Sequence, residues 1–153
     1  MKEPAVPQPV HGLGLVQTRL QFRTRPRAFL DITADVAAWL ARTGAMAGNV
    51  TLLVRHTSAS LVVQENTDPD VRADLTDLLD DLAPAARDWR HALEGPDDMP
   101  AHAKAMLTST TLTLPVSGGR LQLGTWQAIF LVEHRASPHT REIAASFIGT
   151  FRT

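Results

Sequence analysis

Apolar and polar side chains alternate with a period of two over much of the chain, a pattern typical of strands that bury one face. The first such segment covers residues 16–22. Alternation or a short apolar run predicts further strands at residues 29–32, 50–55, 61–64, 110–116, 121–124, 126–134 and 143–150. Residues 117–119, Ser-Gly-Gly, predict a hairpin turn between two of these strands.

Helical spacing of apolar residues occurs in three separate segments. Thr33 is placed to cap a helix that ends at Gly44 and whose inward residues are Val36, Trp39 and Leu40. A second helix is predicted at residues 69–82 after a capping Asp68, and a third at residues 99–107.

Strands dominate this pattern, and the helices are isolated. The predicted fold class is therefore α+β, a single domain at residues 16–153 with a largely antiparallel sheet system. Residues 1–15 contain Pro4, Pro7 and Pro9 and predict a flexible tail without the apolar core of a signal peptide. No apolar run approaches the ~20 residues that cross a bilayer, so we expect a cytoplasmic protein with no membrane partner.

The composition excludes several kinds of function and of site. A formal net charge of −1 argues against general nucleic-acid binding. The absence of cysteine excludes disulfides and thiolate nucleophiles, so any bound metal would take nitrogen and oxygen ligands.

One segment, residues 56–75, concentrates polar chemistry directly after an apolar strand. Helix capping explains Asp68 without any further role. Capping does not explain His56, Glu65 and Asn66, because all three precede the capping residue. They form either part of a site, with Glu65 and Asn66 as catalytic candidates on the loop that enters the helix, or scaffold. The spacing leaves both interpretations open.

Three histidines, His56, His91 and His102, are the candidate metal ligands. A catalytic divalent ion commonly takes three protein ligands and keeps a position for water or substrate. The spacing is not diagnostic, because no pair of these histidines shows the i, i+4 separation of a helical zinc motif. Glu65 or Asp74 would orient an imidazole. Either Zn or Mg fits this set.

A second cluster lies at residues 119–127. Alternation places Gln127 and Glu133 at opposite ends of one apolar strand face, and thus at the rims of a sheet. Gln127 is a catalytic candidate. Trp126 is either a core residue, which the pattern favours, or a substrate-binding residue.

Arginines suggest phosphate recognition, because a guanidinium meets phosphate oxygens in a bidentate fork. Arg120 and Arg141 are the candidates for substrate binding, with Arg135 as a further possibility and solvated strand ends as the alternative. Ser58 is a candidate substrate-binding hydroxyl. A serine hydrolase is disfavoured, since the chain has no G-x-S-x-G elbow, and it has no Walker or dinucleotide fingerprint.

Several ordered motifs together resemble those of the YjbQ family, called secondary thiamine-phosphate synthases. They lie at residues 56–61, 65–66, 68–71, 94–102, 119–121 and 123–127, so the resemblance covers nearly the whole chain from about Thr18. It implies a single compact α+β domain built as a largely antiparallel β-sheet sandwich with a few short helices, and a homotrimer. Ala28 and Ser109 stand where the family usually has glycine, and Thr111 stands where it has serine.

The resemblance also implies a function. The expected activity is a small metal-assisted transferase that joins hydroxymethylpyrimidine diphosphate to thiazole phosphate and releases pyrophosphate. A divalent ion with Arg120 or Arg141 would stabilise the leaving diphosphate, and Glu65 would favour a cationic pyrimidine carbon. The alternatives are a metal-dependent hydrolase of a small phosphorylated or amide substrate, and a non-catalytic metal- or anion-binding trimer.

Overall fold

Eight strands and three helices make up residues 12–152, the part of the chain that the computed structural model describes. The strands are β1 (Gly14–Arg23), β2 (Phe29–Asp31), β3 (Ala45–Val54), β4 (Ala59–Glu65), β5 (Thr111–Ser117), β6 (Arg120–Leu121), β7 (Gln127–Glu133) and β8 (Thr140–Phe151). The helices are α1 (Thr33–Thr43), α2 (Pro69–Leu82) and α3 (Asp98–Leu107). Within this range, no helix is long and apolar enough to cross a membrane.

The predicted tail falls largely outside this range, since residues 1–11 are not among the described residues. Its predicted end at residue 15 lies inside β1, because Gly14 and Leu15 already pair with Gly149 and Ile148 of β8.

The strands form two antiparallel sheets. The large sheet has the order β1-β8-β3-β5-β6, and the small sheet has the order β2-β7-β4. Strand β8, the last along the chain, lies between β1 and β3 and pairs with both. The predicted α+β class with a largely antiparallel sheet system is confirmed.

The main core lies between the two sheets. The large sheet contributes Val50, Leu52 and Phe147, and the small sheet contributes Leu61 and Leu131. Helix α1 adds its predicted inward residues, Val36, Trp39 and Leu40. The cluster therefore joins both sheets and α1 into one body.

Strand β7 shows the predicted alternation. Ile129 and Leu131 belong to the main core, whereas Phe130 and Val132 belong to a second apolar cluster on the outer face of the small sheet. Both faces of this strand are buried because the main core covers one and this second cluster, which includes Phe29, covers the other.

Helix α2 begins as predicted, with the Asp68 side chain accepting a hydrogen bond from the Asp70 amide at 2.9 Å. Its apolar face packs only shallowly: no residue of α2 is fully buried, and Leu78 and Leu82 are 51% and 56% exposed. The guanidinium of Arg72 lies 5.7 Å from the centre of the Phe130 ring, which places α2 over the second cluster.

The predicted cap at Thr33 is wrong. Thr33 is the first residue of α1, and its Oγ accepts a hydrogen bond from the Ile129 amide at 2.8 Å. The hydroxyl therefore ties the helix to β7, while Asp31 Oδ1 accepts from the Thr33 amide at 2.9 Å. Gly44 ends the helix as predicted, with a φ of 74°.

Two turns show where the backbone needs a positive φ. In the turn between β1 and β2, Arg27 adopts a φ of 46°, whereas Ala28 does not adopt a positive φ. The turn therefore tolerates alanine at residue 28. The predicted hairpin turn is confirmed, since Gly118 and Gly119 have φ of 58° and 74°, as in the primed turns that suit hairpins.

Candidate functional site

Two histidines and one aspartate converge at the start of α3. Asp98 is the first residue of α3 and is 2% exposed, and His102 follows one turn later on the same face. His91 comes from the irregular segment before the helix. The Nε2 atoms of His91 and His102 lie 2.8 and 3.1 Å from the same atom, Oδ2 of Asp98. We call these three residues the histidine–aspartate cluster.

Arg135, which follows β7, holds the other side of the Asp98 carboxylate. Its Nη1 donates to Asp98 Oδ1 at 2.5 Å, and its Nε donates to Asp97 Oδ2 at 3.0 Å. Burial alone would raise the pKa of Asp98, but the hydrogen bond from His91 and the charges of Arg135 and His102 hold that pKa below its ordinary value. The carboxylate is therefore ionised and fixed in orientation.

The main chain fixes the orientation of His102. Its Nδ1 lies 2.9 Å from the carbonyl oxygen of Thr57, which can only accept a hydrogen bond. Nδ1 therefore carries a proton, and in the neutral ring Nε2 presents a lone pair toward Asp98 Oδ2. Two lone pairs at this separation repel each other unless a proton or a metal ion lies between them. Such a backbone carbonyl behind the ring is the usual partner of a metal-bound histidine.

The donor set fits a divalent ion. One ligand atom from each of the three residues can be chosen so that all lie within 4.8 Å of one another. Two imidazole nitrogens and one carboxylate oxygen make a three-ligand set of the kind found in catalytic zinc sites, with a position left for water or substrate. Imidazole ligands favour zinc and similar transition metals over magnesium.

His56, the third predicted metal ligand, lies outside this cluster. Its Nε2 accepts a hydrogen bond from the Glu142 amide at 2.8 Å. Burial and the neighbouring Arg141 lower the pKa of His56, so the ring is neutral at neutral pH. The structure thus brings His91 and His102 together, with Asp98 where His56 was expected.

Arg141 and Ser58 lie together in the interior. Arg141 faces inward from β8 and forms two hydrogen bonds to Glu133 of β7, from Nε to Oε2 at 2.7 Å and from Nη2 to Oε1 at 2.5 Å. Its Nη2 also donates to Ser58 Oγ at 3.0 Å, and Thr24 donates to Glu133 Oε2 at 2.7 Å. These contacts tie one end of the large sheet to the small sheet and leave Arg141 buried.

The remaining catalytic candidates lie at the other end of the small sheet. Glu65 pairs with Gln127 across β4 and β7, and the Asn66 amide donates to the Trp126 carbonyl at 3.0 Å. Trp126 is 62% exposed, so its interpretation as a core residue is wrong. Gln127 Oε1 accepts a hydrogen bond from the Gly124 amide at 2.8 Å. We call residues 65, 66, 126 and 127 the rim group.

Glu65 has a structural duty that its position in the sequence concealed. Its carboxylate accepts hydrogen bonds from the amides of Thr67 and Asp68, each at 3.0 Å. These bonds shape the turn that leads into α2. The expectation that Glu65 plays no part in starting the helix is therefore wrong, and Glu65 is not the group that orients His102.

Arg120 and Arg141 lie at opposite ends of the large sheet. Arg120 pairs with Ser117 beyond the point where Val116, Gly48 and Gly149 lie side by side. The distance along β8 from Arg141 to Gly149 is roughly 26 Å at about 3.3 Å per residue. Within one chain, these two arginines are therefore too far apart to bind the same phosphate.

Asp98 was not among the site residues expected from the sequence, and Arg135 was expected only as a possible phosphate-binding residue. Asp98 precedes His102 by four residues, the helical spacing that was sought among histidine pairs and not among acidic partners. Arg135 joins Asp98 from 37 residues away, and no local pattern signals this contact.

A family model described as "UPF0047 protein YjbQ-like" matches residues 18–150. The chain belongs to this family. Among curated relatives, the UPF0047 protein of Synechocystis is 44% identical over 134 residues, covering 87% of this chain and 91% of the relative. UPF0047 protein YjbQ of Salmonella typhimurium is 42% identical, covering 87% of this chain and 97% of the relative.

Solved structures of similar proteins agree with the fold. A YbjQ-like protein of unknown function from Sulfolobus solfataricus matches with a TM-score of 0.84 and 26% identity, covering 91% of this chain and all of that one. A conserved hypothetical protein from Thermus thermophilus matches with a TM-score of 0.75 and 41% identity, covering 84% of this chain and 97% of that one. These matches support the family and the α+β fold.

Proposed function

We propose that this protein is a small metal-assisted transferase and that the histidine–aspartate cluster holds its divalent ion. The observation that carries the proposal is that the Nε2 atoms of two histidines lie 2.8 and 3.1 Å from the same oxygen of Asp98. The carbonyl of Thr57 orients His102 from behind, and Arg135 orients Asp98. When bound, a divalent ion supplies a Lewis acid and an open coordination position.

The substrate class follows from the resemblance: a pyrimidine diphosphate and a thiazole phosphate, joined with release of pyrophosphate. The side chains of His91 and His102 are 42% and 30% exposed, so a substrate can reach the cluster from solvent. Arg141 is committed to Glu133 and gives no support to a phosphate clamp. The rim group supplies an exposed aromatic face in Trp126 and an amide in Asn66 for a heterocyclic substrate.

A homotrimer with its site at a subunit boundary would bring the histidine–aspartate cluster of one subunit beside the rim group of the next. Within one chain they lie far apart, since β4 from Ala59 to Glu65 spans roughly 20 Å. The outer face of the large sheet supports an interface, because Leu15, Leu53 and Ile148 are exposed there. An open groove of about 420 Å³ runs along the same face beside Leu53 and Ala144.

Metal content tests the cluster directly. We expect Asp98→Asn and His102→Ala to lose a bound transition metal in elemental analysis and zinc titration. His56→Ala is the matched control and should keep the metal, because His56 lies outside the cluster. Full metal content in both cluster variants would refute the assignment. Loss of metal in His56→Ala would instead support His56 as a ligand, as expected from the sequence.

Subunit complementation tests the shared site. Light scattering should give a trimer, and transferase activity should need both substrates and release pyrophosphate. Mixing His102→Ala with Trp126→Ala subunits should restore part of the activity that each lacks, if one subunit supplies the cluster and the next the rim group. A monomer, or no recovery in mixed trimers, would contradict this arrangement.

A metal-dependent hydrolase is the second candidate, and the solvent-exposed side of the cluster favours it. A hydrolase would release phosphate or cleave an amide from one substrate alone. Product analysis with each substrate separately and with both together distinguishes the two activities.

A further inference from the structure

A second polar cavity lies beside a different face of α3. It has a volume of about 250 Å³ and is bounded by the end of α2, the loop at residues 83–86, and the part of α3 that carries Pro100 and Lys104. Arg27 and His134 complete its wall. Residues 100 and 104 lie on one side of α3, while Asp98 and His102 lie on another, so this cavity is separate from the histidine–aspartate cluster.

The cavity contains a buried ammonium group. Lys104 is 5% exposed, and among residues 12–152 the carboxylate of Asp80 is its one hydrogen-bond partner. An ammonium has three donors, so two remain for another acceptor. Burying a cation with unused donors is costly unless something else binds them.

The same carboxylate also serves Arg27. Arg27 Nη1 lies 3.4 Å from Asp80 Oδ2, while Lys104 pairs with Oδ1. Two cations therefore share one anion at the inner wall. The neighbouring Asp97 carboxylate accepts from Arg135 and the Ala136 amide, at 3.0 and 2.7 Å. Asp81 also lines the cavity, as an exposed side chain. At the buried end, Lys104 and Arg27 therefore share the single negative charge of Asp80.

His134 offers a further polar atom. It is 4% exposed, and its Nε2 lies 2.8 Å from Ser60 Oγ. Its Nδ1 has no protein partner among residues 12–152, although no fully buried polar side-chain atom in that range is unpaired. Nδ1 therefore keeps some exposure, and His134 is among the residues that line the cavity. Burial and the nearby Lys104 lower the pKa of His134 to about 4, so the ring is neutral and Nδ1–H donates when the Ser60 hydroxyl bonds to Nε2.

We propose that this cavity binds a small oxyanion of the phosphate class, which takes the place of the Asp80 carboxylate between Lys104 and Arg27 and also accepts from His134. Asp80 fills the anion position from within the chain. It is carried by α2, which has no fully buried residue, so its withdrawal disturbs little packing. The ligand is free phosphate or the phosphate group of an organic molecule.

Calorimetric titration of chelator-treated protein with inorganic phosphate tests the site. Asp80→Asn removes the competing charge and keeps the shape, so we expect it to bind phosphate about tenfold more tightly than the unaltered protein. Adding Lys104→Met to Asp80→Asn should abolish this gain. Asp81→Asn, a neighbouring change on the same helix, is the matched control and should alter affinity by about twofold at most, since salt screens an exposed charge.

Three further measurements complete the test. Phosphate should raise the thermal midpoint of Asp80→Asn more than that of the unaltered protein, because ligand binding stabilises the folded state. His91→Ala should still bind phosphate, which separates this cavity from the histidine–aspartate cluster. If Asp80→Asn does not fold, Lys104→Met alone should weaken phosphate binding about tenfold.

Glycerol phosphate in the same titration separates the two sources of the anion. Tighter binding than inorganic phosphate indicates an organic phosphate ligand, and equal or weaker binding indicates free phosphate. Either result supports the site. Equal phosphate affinity in the unaltered protein, Asp80→Asn and Lys104→Met would overturn the proposal.

Discussion

Replacing Arg141 with methionine would leave a buried carboxylate without its cation. Glu133 and Arg141 are 1% and 4% exposed, and the substitution removes both hydrogen bonds from the guanidinium to Glu133 and two to Ser58, one to its hydroxyl and one to its carbonyl oxygen. Removing one partner of a buried ion pair costs about 3–5 kcal/mol. For a chain of this length that corresponds to a drop in thermal midpoint of roughly 6–20 °C.

The double variant Glu133→Gln/Arg141→Met separates the ion pair from its surroundings. Either single change leaves one charge uncompensated, whereas the double change leaves none. The double variant should therefore cost no more than either single variant, instead of the sum of the two. Urea unfolding followed by tryptophan fluorescence, to which the buried Trp39 contributes, measures all three free energies.

The pH dependence gives an independent check. Burial would raise the pKa of Glu133, but hydrogen bonds from Arg141 and Thr24 hold it below its ordinary value of 4.5. Because the pKa of Glu133 is lower in the folded protein than in the unfolded chain, its ionised carboxylate stabilises the fold above pH 4.5. This stabilisation is lost as the pH falls through the pKa of the folded state. Glu133→Gln should flatten this part of the stability profile.

Additive single-variant costs, within about 0.5 kcal/mol, would refute the coupling between these charges. Arg141→Met that keeps its stability but loses transferase activity would instead support the substrate-binding role expected from the sequence.

Three further changes test local features. Glu65→Ala should lower the free energy of unfolding, measured in urea, by about 1 kcal/mol, because it removes the acceptor for two turn amides. Asp70→Asn should lower it by ~0.3–1 kcal/mol, because it removes a negative charge from the first turn of α2. An unchanged free energy for Glu65→Ala would indicate that Glu65 has a functional role only. Gly149→Ala should cost about 1–3 kcal/mol or prevent folding, since the added Cβ would lie 2.2 Å from the Ala47 carbonyl oxygen; an unchanged midpoint would show that β3 and β8 can separate. Ser109→Gly should cost about 0.5–1 kcal/mol with activity unchanged, because Ser109 has no positive φ; a rise in transferase rate at constant stability would show that glycine makes room for substrate.

Local chemistry in the sequence was sufficient for most of the fold. The alternation at residues 126–134 correctly placed Ile129 and Leu131 on one face of β7, and Asp68 correctly marked the start of α2. These predictions succeed because capping and face alternation depend on neighbouring residues. The depth of burial does not, which is why the apolar stripe of α2 gave no sign that Leu78 and Leu82 stay exposed.

The candidate site was harder to predict, because it depends on contacts between distant segments. His102 is oriented by Thr57, 45 residues away, and Asp98 by Arg135, 37 residues away. Arg141 was expected to bind substrate or to lie at a solvated strand end, but β8 begins at Thr140 and continues the inward positions of Ile143 and Ala145 back to this arginine. The predicted strand began at residue 143. A predicted start at residue 140 would have placed Arg141 in the interior.

The position of β8 between β1 and β3 also determines when the molecule can fold. On the ribosome, β1 and β3 emerge before the strand that joins them, so the edges that pair with β8 stay unpaired until residues 140–151 have been made. Closing the large sheet brings together segments from near the two ends of the described chain, and such long-range pairing is slow. Nascent chains that have not yet exposed residues 140–151 should therefore depend on chaperones, and should become protease-resistant only when that strand is free.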